Sequence, residues 1–406
     1  MKQLQYSLPK NWFWKTLDDV SEKITDGTHH SPKVQYSEWE PGRFKYVTSK
    51  NIKNNGMKLD DISYIDQDIH NEIYARCAPE VEDQLLTKDG AMTGTCCLNE
   101  LDEPFSLLSS VALIKQKRSV ILPKYLNYYL QSHVGQNFLL GDISGAAITR
   151  TNIKKLKSTP VPVAPISEQK FIVEKLDALL TRIDATIEHL QGSITLADTL
   201  LKSSLNSMLT PRENWEWVRM NDVCQITSKL CDPREEQYLD MFHIGGANIT
   251  QFSGSLINVK TAKEEQLISG KFPFDTSMVL YSKIRPYLMK VARPMISGIC
   301  SADIYPLTPV REKMTRDFLF YLLLSEQFTQ YAIEGSSRAG MPKVNRNHLF
   351  SFAFHLPSLD EQVSICESLD GLVEKTNEAS NELEGKLAYL KSLKASILDS
   401  AFKGEF

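Results

Sequence analysis

Apolar residues recur with a helical period through the middle of the chain, between residues 167 and 209. They stand at Ile172, Leu176, Leu179, Ile183, Ile187, Leu190, Ile194, Ala197, Leu201, Leu205 and Met208. Ten steps cover 36 residues, so the mean step is 3.6, the period of a long and nearly straight α-helix with one apolar face. Prolines precede this span at 160, 162 and 165 and follow it at 211, but none interrupts it. An apolar face of this length needs a partner.

The same chain supplies that partner 193 residues later. Glu168-Gln169 recurs as Glu361-Gln362, and Leu176 recurs as Leu369. Ser167 and Asp360 stand at matching places before the Glu-Gln pairs and are predicted as helix N-caps. Two such helices in one chain predict an antiparallel intramolecular coiled coil.

The repeat also includes the segments around the helices. Asn11-Trp12 recurs as Asn214-Trp215, and residues 125–132 align with 318–325. Between these anchors the two copies differ, and short β-like runs from residues 111, 278 and 352 alternate with helices predicted at 123–132 and 315–325.

The predicted fold class is therefore α+β, with two mixed α/β domains joined by two long antiparallel helices in a pseudo-two-fold repeat. The predicted segments are a first domain at 1–164, a helix at 165–210, a second domain at 211–356 and a helix at 357–406.

Composition adds limits to this picture. The net charge of −4 and pI near 6.1 mean that a nucleic-acid surface would have to be local or supplied by a partner. The seven cysteines form no C-x-x-C pair, and no apolar run is long enough to cross a bilayer. A cytoplasmic protein is predicted.

Local basic clusters do occur in both domains. In residues 281–293, basic and aromatic side chains alternate without an acid, a pattern that suits contact with phosphates and base edges. The candidate contacts there are Lys283, Arg285, Tyr287 and Lys290. An exposed pair of strands with solvated charges would explain this segment equally well. The corresponding stretch of the first domain offers Lys88 and Thr93, although a simple turn is the better explanation there.

A further basic cluster precedes each long helix, and its recurrence favours a function. It supplies Arg150, Lys154, Arg338, Lys343 and Arg346. Catalytic signatures are missing by contrast: Gly335 and Gly340 have phosphate-loop spacing, but Met341 replaces the lysine that such a loop needs. No catalytic residue and no metal site is predicted.

Several of these segments together resemble the specificity subunit family of type I restriction–modification systems. They are the duplicated Asn-Trp openings, the helix starts PISEQ at 165–169 and PSLDEQ at 357–362, SKIRPYL at 282–288, and the ending 392–406. The end of the first long helix, at 203–214, departs from the second copy, and the first domain departs from the SKIRPYL pattern.

The resemblance implies that each domain is a target recognition domain reading one half of a bipartite, asymmetric DNA site. It implies that the helices set the spacer and dock two modification subunits, which carry S-adenosylmethionine and methylate adenine. Restriction subunits that use ATP and Mg would join a larger complex. This chain itself would hold no cofactor and would not be an enzyme.

Two other functions are compatible with the sequence. The chain could be the recognition portion of a single-chain methyltransferase–nuclease, which an assay of methyl transfer would distinguish. It could also be a coiled-coil scaffold that binds only protein, which a salt-dependent test of binding to duplex DNA would distinguish.

Overall fold

The structure is a computed structural model that describes residues 6–141, 150–336 and 342–406. The chain divides into two compact units. The first comprises Met1–Leu190 and Gly385–Phe406, and the second comprises Gln191–Glu384. Each unit thus contains one globular domain together with portions of both long helices.

The first domain contains eleven strands and four helices within the described residues. The strands are β1 (Phe13–Thr16), β2 (Ser21–Asp26), β3 (Arg43–Val47), β4 (Ile52–Lys53), β5 (Gly56–Met57), β6 (Ser63–Asp66), β7 (Gln84–Thr87), β8 (Cys96–Leu98), β9 (Ser106–Leu107), β10 (Val111–Gln116) and β11 (Pro160–Val163). The helices are α1 (Gln67–Cys77), α2 (Pro123–Gln131), α3 (His133–Leu140) and α4 (Ile153–Lys157).

The second domain follows the first long helix, α5 (Ile166–Met208), and precedes the second, α11 (Leu359–Lys403). Its strands are β12 (Glu216–Arg219), β13 (Cys224–Gln225), β14 (Phe242–Ile244), β15 (Lys260–Thr261), β16 (Lys271–Phe274), β17 (Val279–Ser282), β18 (Val291–Ala292), β19 (Gly298–Ser301), β20 (Ile304–Pro309) and β21 (Ala353–Leu356). Its helices are α6 (Met220–Val223), α7 (Glu236–Leu239), α8 (Arg316–Leu324), α9 (Glu326–Glu334) and α10 (Arg346–Ser351).

The two domains share one strand topology. A four-stranded antiparallel sheet has the order β2-β10-β7-β8 in the first domain and β13-β20-β17-β18 in the second. A second sheet in each domain pairs β3 with β9, and β14 with β19, in parallel. A two-stranded ribbon, β1-β11 or β12-β21, joins the start of each domain to the strand before its long helix. The α+β fold class and the internal repeat are therefore confirmed.

Within each unit the long helices pack antiparallel and contribute to the domain core. In the first unit, Leu176 of α5 shares a buried cluster with Leu398 and Phe402 of α11, and Lys394 pairs with Asp184 at 2.6 Å. In the second unit, Leu205 of α5 is buried in one cluster with α11 residues 365 and 369. Towards both ends of α5 the 3.6-residue stripe thus faces a domain core, because burying it removes apolar area from water, whereas its positions 187–201 are only partly buried.

The recurrent Glu-Gln pair ties each long helix to its domain. The amide of Gln169, which is fully buried, accepts a bond from Leu122 N at 2.8 Å and donates to the carbonyls of Val120 and Ala164. Gln362 makes the same three kinds of bond, to residues 315, 313 and 357. Glutamine recurs at this position because one side chain satisfies three buried backbone groups.

The predicted N-caps were wrong. The helix α5 already begins at Ile166, and Gln169 N donates to Pro165 O at 2.9 Å, so Ser167 lies inside the first turn. The helix α11 begins at Leu359, with Gln362 N donating to Ser358 O, so Asp360 lies inside as well. Ser167 and Asp360 do precede the Glu-Gln pairs, but each helix begins one residue before them, closer to the N-terminus than the cap pattern predicted.

Candidate nucleic-acid interface

Two basic segments that are distant in sequence meet in the second domain. Ile284 and Lys343 form an antiparallel bridge, in which Arg285 N donates to Pro342 O and Val344 N donates to Lys283 O, both at 2.9 Å. Just beyond this bridge, Asn345 caps α10 by accepting a bond from the backbone N–H of residue 348 at 2.9 Å. The predicted cluster 281–293 and the described part of the predicted cluster 336–347 therefore form one surface, although strands β19 and β20 and helices α8 and α9 separate them in the chain.

Lys283 lies at the centre of this surface and is largely enclosed. Its backbone N–H donates to Asp303 O at 3.0 Å, and its ammonium lies 3.4 Å from Asp303 Oδ1. The same oxygen lies 3.1 Å from the ammonium of Lys343. Burial, followed by the charge of Lys343, lowers the pKa of Lys283. Burial raises the pKa of Asp303, but the two lysines outweigh it and leave that pKa below its ordinary value.

The remaining candidates of this domain differ in exposure. Arg285 is exposed and has a left-handed backbone with φ of 51°, at the start of the 3-10 turn Pro286–Leu288. Tyr287 in that turn is half exposed, whereas the ammonium of Lys290 donates to the carbonyl of Gly246. Arg346 is exposed, with its guanidinium 5.9 Å from the centre of the Tyr305 ring. Arg338 lies outside the described residues.

The first domain contains a closely similar arrangement around Lys88. Asp89 and Arg150 form an antiparallel bridge, Lys88 N donates to Ser110 O at 2.8 Å, and Thr151 N donates to Lys88 O at 2.9 Å. These are the same backbone bonds that surround Lys283. We call each arrangement a lysine junction, comprising residues 88, 89, 110 and 150 in the first domain and 283, 284, 303 and 343 in the second.

Ion pairs fill the first lysine junction. Lys88 is buried, with its ammonium 3.0 Å from Asp89 and 3.5 Å from Asp26, itself a buried residue. Arg150 is exposed and donates from Nε to Asp89 at 2.6 Å. Thr93 is partly exposed and donates to Gly90 O, while Lys154 is exposed on α4. Direct DNA contact by these residues stays a prediction, and for Lys88 it would require the ammonium to leave two carboxylates.

Sequence reasoning missed the charged groups that complete the junctions. Arg76 of α1 donates to Asp26 at 2.7 Å and lies 3.2 Å from His29 Nε2. Asp26, Asp89 and Asp303 each hold basic residues in place, but no local pattern marks Asp26 or Asp303. Asp89 follows Lys88 directly, which was the one usable signal. Among the described residues, no group of three or more histidine, cysteine, aspartate or glutamate side chains could hold a metal ion. No helix in that part of the chain is long and apolar enough to span a membrane.

Comparison with known proteins decides the family. A family profile described as "Type I restriction modification DNA specificity domain" matches residues 9–195 and again residues 212–388. The chain belongs to this family. The two matches show that one specificity domain is present twice, each copy with the start of its own long helix.

Relatives of this specificity family agree with the assignment. The type I restriction enzyme EcoDI specificity subunit of Escherichia coli is 29% identical over 351 residues, covering 73% of this chain and 78% of the relative. A chain from a solved structure on complex assembly and conformational transition of the type I R-M system matches with TM-score 0.74 and 18% identity. That match covers 99% of this chain and all of the other. The HsdS subunit from Thermoanaerobacter tengcongensis matches with TM-score 0.53 and 19% identity over the whole of both chains. These two structures share the fold.

Proposed function

We propose that this chain is the DNA specificity subunit of a type I restriction–modification complex and is itself non-catalytic. Each domain reads one half of a bipartite, asymmetric site, and the long helices set the spacer and dock two modification subunits. The observation that carries the proposal is the lysine junction. In both copies, a basic segment before the long helix pairs with the segment that follows the third strand of the central sheet and carries an enclosed lysine.

The difference between the two junctions supports different half-sites. The second domain exposes Arg285, Tyr287 and Arg346, whereas the first exposes Arg150 and Lys154 on a similar backbone. Side chains at the same place with different hydrogen-bond donors select different base edges. An asymmetric site follows from two domains that share a scaffold and differ in the residues they present.

The proposal includes the partners and cofactors that the resemblance to the family implies. S-adenosylmethionine would be bound by the two modification subunits, and ATP and Mg by restriction subunits in the larger complex. The EcoDI relative is named as a subunit of a type I restriction enzyme, which supports such partners here. A cytoplasmic location is part of the proposal.

Exchange of one domain tests the proposal. Replacing residues 214–345 by the equivalent segment of another specificity subunit should change one half-site and leave the other unchanged. Sequencing of methylated adenines in cells that carry the chain with its modification subunit gives both half-sites at once. If both half-sites of the methylated sequence changed after this exchange, the two domains would not read DNA independently.

Binding measurements separate the proposal from a scaffold that binds only protein. The assembled complex should bind duplex DNA with an affinity that falls steeply as salt increases, because phosphate contacts release counterions. A complex that forms with the modification subunits but shows no salt-dependent binding to DNA would favour the scaffold. Methyl transfer by the isolated chain would favour the single-chain enzyme.

A further inference from the structure

Each lysine junction contains a carboxylate in a surface that should otherwise attract phosphate. In the second domain Asp303 is about half exposed, and one of its oxygens lies within 3.4 Å of both Lys283 and Lys343. In the first domain Asp89 gives one oxygen to Lys88 and the other to Arg150. A negative charge at this place weakens binding to every DNA sequence alike, so a role in affinity does not explain it.

Asp89 and Asp303 bind the same two kinds of basic residue, but they stand at different positions of the repeat. Asp89 is equivalent to Ile284, since these residues form the matching bridges, and Asp303 is equivalent to Ser110, since both accept the N–H of the central lysine. Neither acid is therefore an inherited copy of the other. Each domain has its own carboxylate between the enclosed lysine and the exposed basic residue.

The physical consequence concerns the exposed partner, Lys343 or Arg150. Long basic side chains lose substantial rotamer entropy when they are fixed on a ligand. A carboxylate that already binds the charged end of the side chain reduces this entropy loss for a DNA group that meets the side chain in its held position. The carboxylate also competes with DNA phosphates for the same cation. Both effects favour a DNA sequence whose base edges fit the basic side chain in its held position. They disfavour contacts to the DNA backbone that do not depend on sequence.

We propose that Asp89 and Asp303 are positioning residues that set the sequence discrimination of their own half-sites by holding Arg150 and Lys343. This inference rests on the proposed function, since it assumes that the junctions face DNA. It adds two acidic residues to an interface for which the sequence predicted only basic, threonine and tyrosine contacts.

The decisive variant is Asp303→Asn, which has the same shape but removes the charge. Its matched control is Asp240→Asn, which neutralises an exposed aspartate of the same domain away from the junction. The assembled complex is titrated with a duplex carrying the methylated site and with duplexes scrambled in one half-site, over a range of salt. Asp303→Glu serves as the conservative variant.

We expect Asp303→Asn to bind scrambled duplexes more tightly and to steepen the salt slope by about one, because Lys343 becomes free to neutralise a phosphate. Discrimination at the half-site of the second domain should fall by about tenfold, with the other half-site unchanged. Asp303→Glu should restore part of the discrimination. Asp89→Asn should produce the mirror effect at the other half-site, with Asp102→Asn as its control.

Other results would overturn the inference. A uniform loss of binding with an unchanged salt slope would show that Asp303 only supports the fold. A clean switch of preference at one base pair without a change in slope would show that Asp303 itself contacts a base. If Asp303→Asn bound DNA like the control Asp240→Asn, Asp303 would not belong to the interface. If the wild-type complex discriminated against no scrambled duplex, the proposed function would fail instead.

Discussion

At the residue scale, contacts to protein oxygens separate the basic candidates that are already engaged from those without a carboxylate partner. Lys88, Lys283 and Lys290 donate to protein oxygens and are enclosed to different degrees. Arg285 and Arg346 are exposed and have no carboxylate partner among the described residues. Arginine can pair with two acceptors of a guanine edge, so these two are the better candidates for base contact.

We expect Arg285→Ala to relax the preferred base at one position of one half-site. If the guanidinium makes two bonds to guanine, the loss should be roughly 1–3 kcal/mol of binding free energy for the correct site. Alanine retains the left-handed backbone strain, so the side chain is the main difference. Binding to duplexes substituted at each position measures it. Arg234→Ala, an exposed arginine paired with Asp232, is the control, and equal behaviour of the two would exclude Arg285.

A buried histidine gives the first unit a pH-dependent stability. His70 stacks on Phe44 with ring centres 3.8 Å apart and bonds through Nδ1 to Ser106 Oγ at 2.9 Å. Burial lowers its pKa from the ordinary value of 6.5. Because the unfolded chain then binds more protons, the contribution is full above pH 6.5 and is lost as the pH falls below it.

The free energy of unfolding of the first unit should therefore differ between about pH 7.5 and about pH 5.5. The wild-type chain should lose more stability on acidification than His70→Gln, as measured by urea unfolding. His133→Gln, at an exposed position in the same unit, should behave like the wild type. An equal loss in His70→Gln and the wild type would show that other groups cause the acid sensitivity.

At the element scale, the sequence predicted the elements with a clear apolar pattern and missed several others of similar length. Both long helices, β10, β17 and β21, and helices α2 and α8 lie where the pattern placed them. The helices α3 and α9 are about as long as α2 and α8, but they follow them directly and were missed. The serines at 132 and 325, where the predicted helices stop, end one helix and cap the next. Strand β11 was hidden by its two prolines, which are tolerated in a two-stranded ribbon because one edge needs no donors.

The site was predictable only in part, for a related reason. Basic residues cluster locally and can be found in a sequence, but Asp303 meets Lys343 only through the bridge between distant loops. Sequence patterns that recur every two or four residues carry no information on such pairings. The strand order that creates the junctions came from the folded structure.

The buried glutamines give an element-scale prediction. Gln169→Leu should remove the three bonds between α5 and its domain and leave backbone groups without partners. Each such group costs roughly 1–3 kcal/mol, so the first unit should lose several kcal/mol of unfolding free energy. Urea unfolding measures the loss, and Gln191→Leu, exposed on the same helix, is the control. An unchanged urea midpoint in Gln169→Leu would mean that water replaces the glutamine amide without a loss of stability.

At the scale of the whole molecule, each long helix is continuous from one unit into the other. If the helices set the spacer, removing four residues from both, 191–194 and 383–386, should shorten each by about 6 Å. At 3.4 Å per base pair, the methylated site should keep its half-sites with a gap about two base pairs shorter. Sequencing of methylated adenines measures the gap. An active variant with the original gap would show that the domains determine the distance.

The end of α11 lies against the beginning of the chain. Phe402 is buried between Tyr125 and Tyr129, with ring centres 5.2 and 5.3 Å away, and its carbonyl accepts the hydroxyl of Tyr6. Specific contacts therefore hold the last turn of α11 close to residue 6. Joining residue 406 to residue 6 through a short linker and reopening the backbone in the exposed segment 210–214 would give a reordered gene for the same native contacts. Such a permuted protein should specify the same methylated sequence as the original, with its two half-sites encoded in the opposite order.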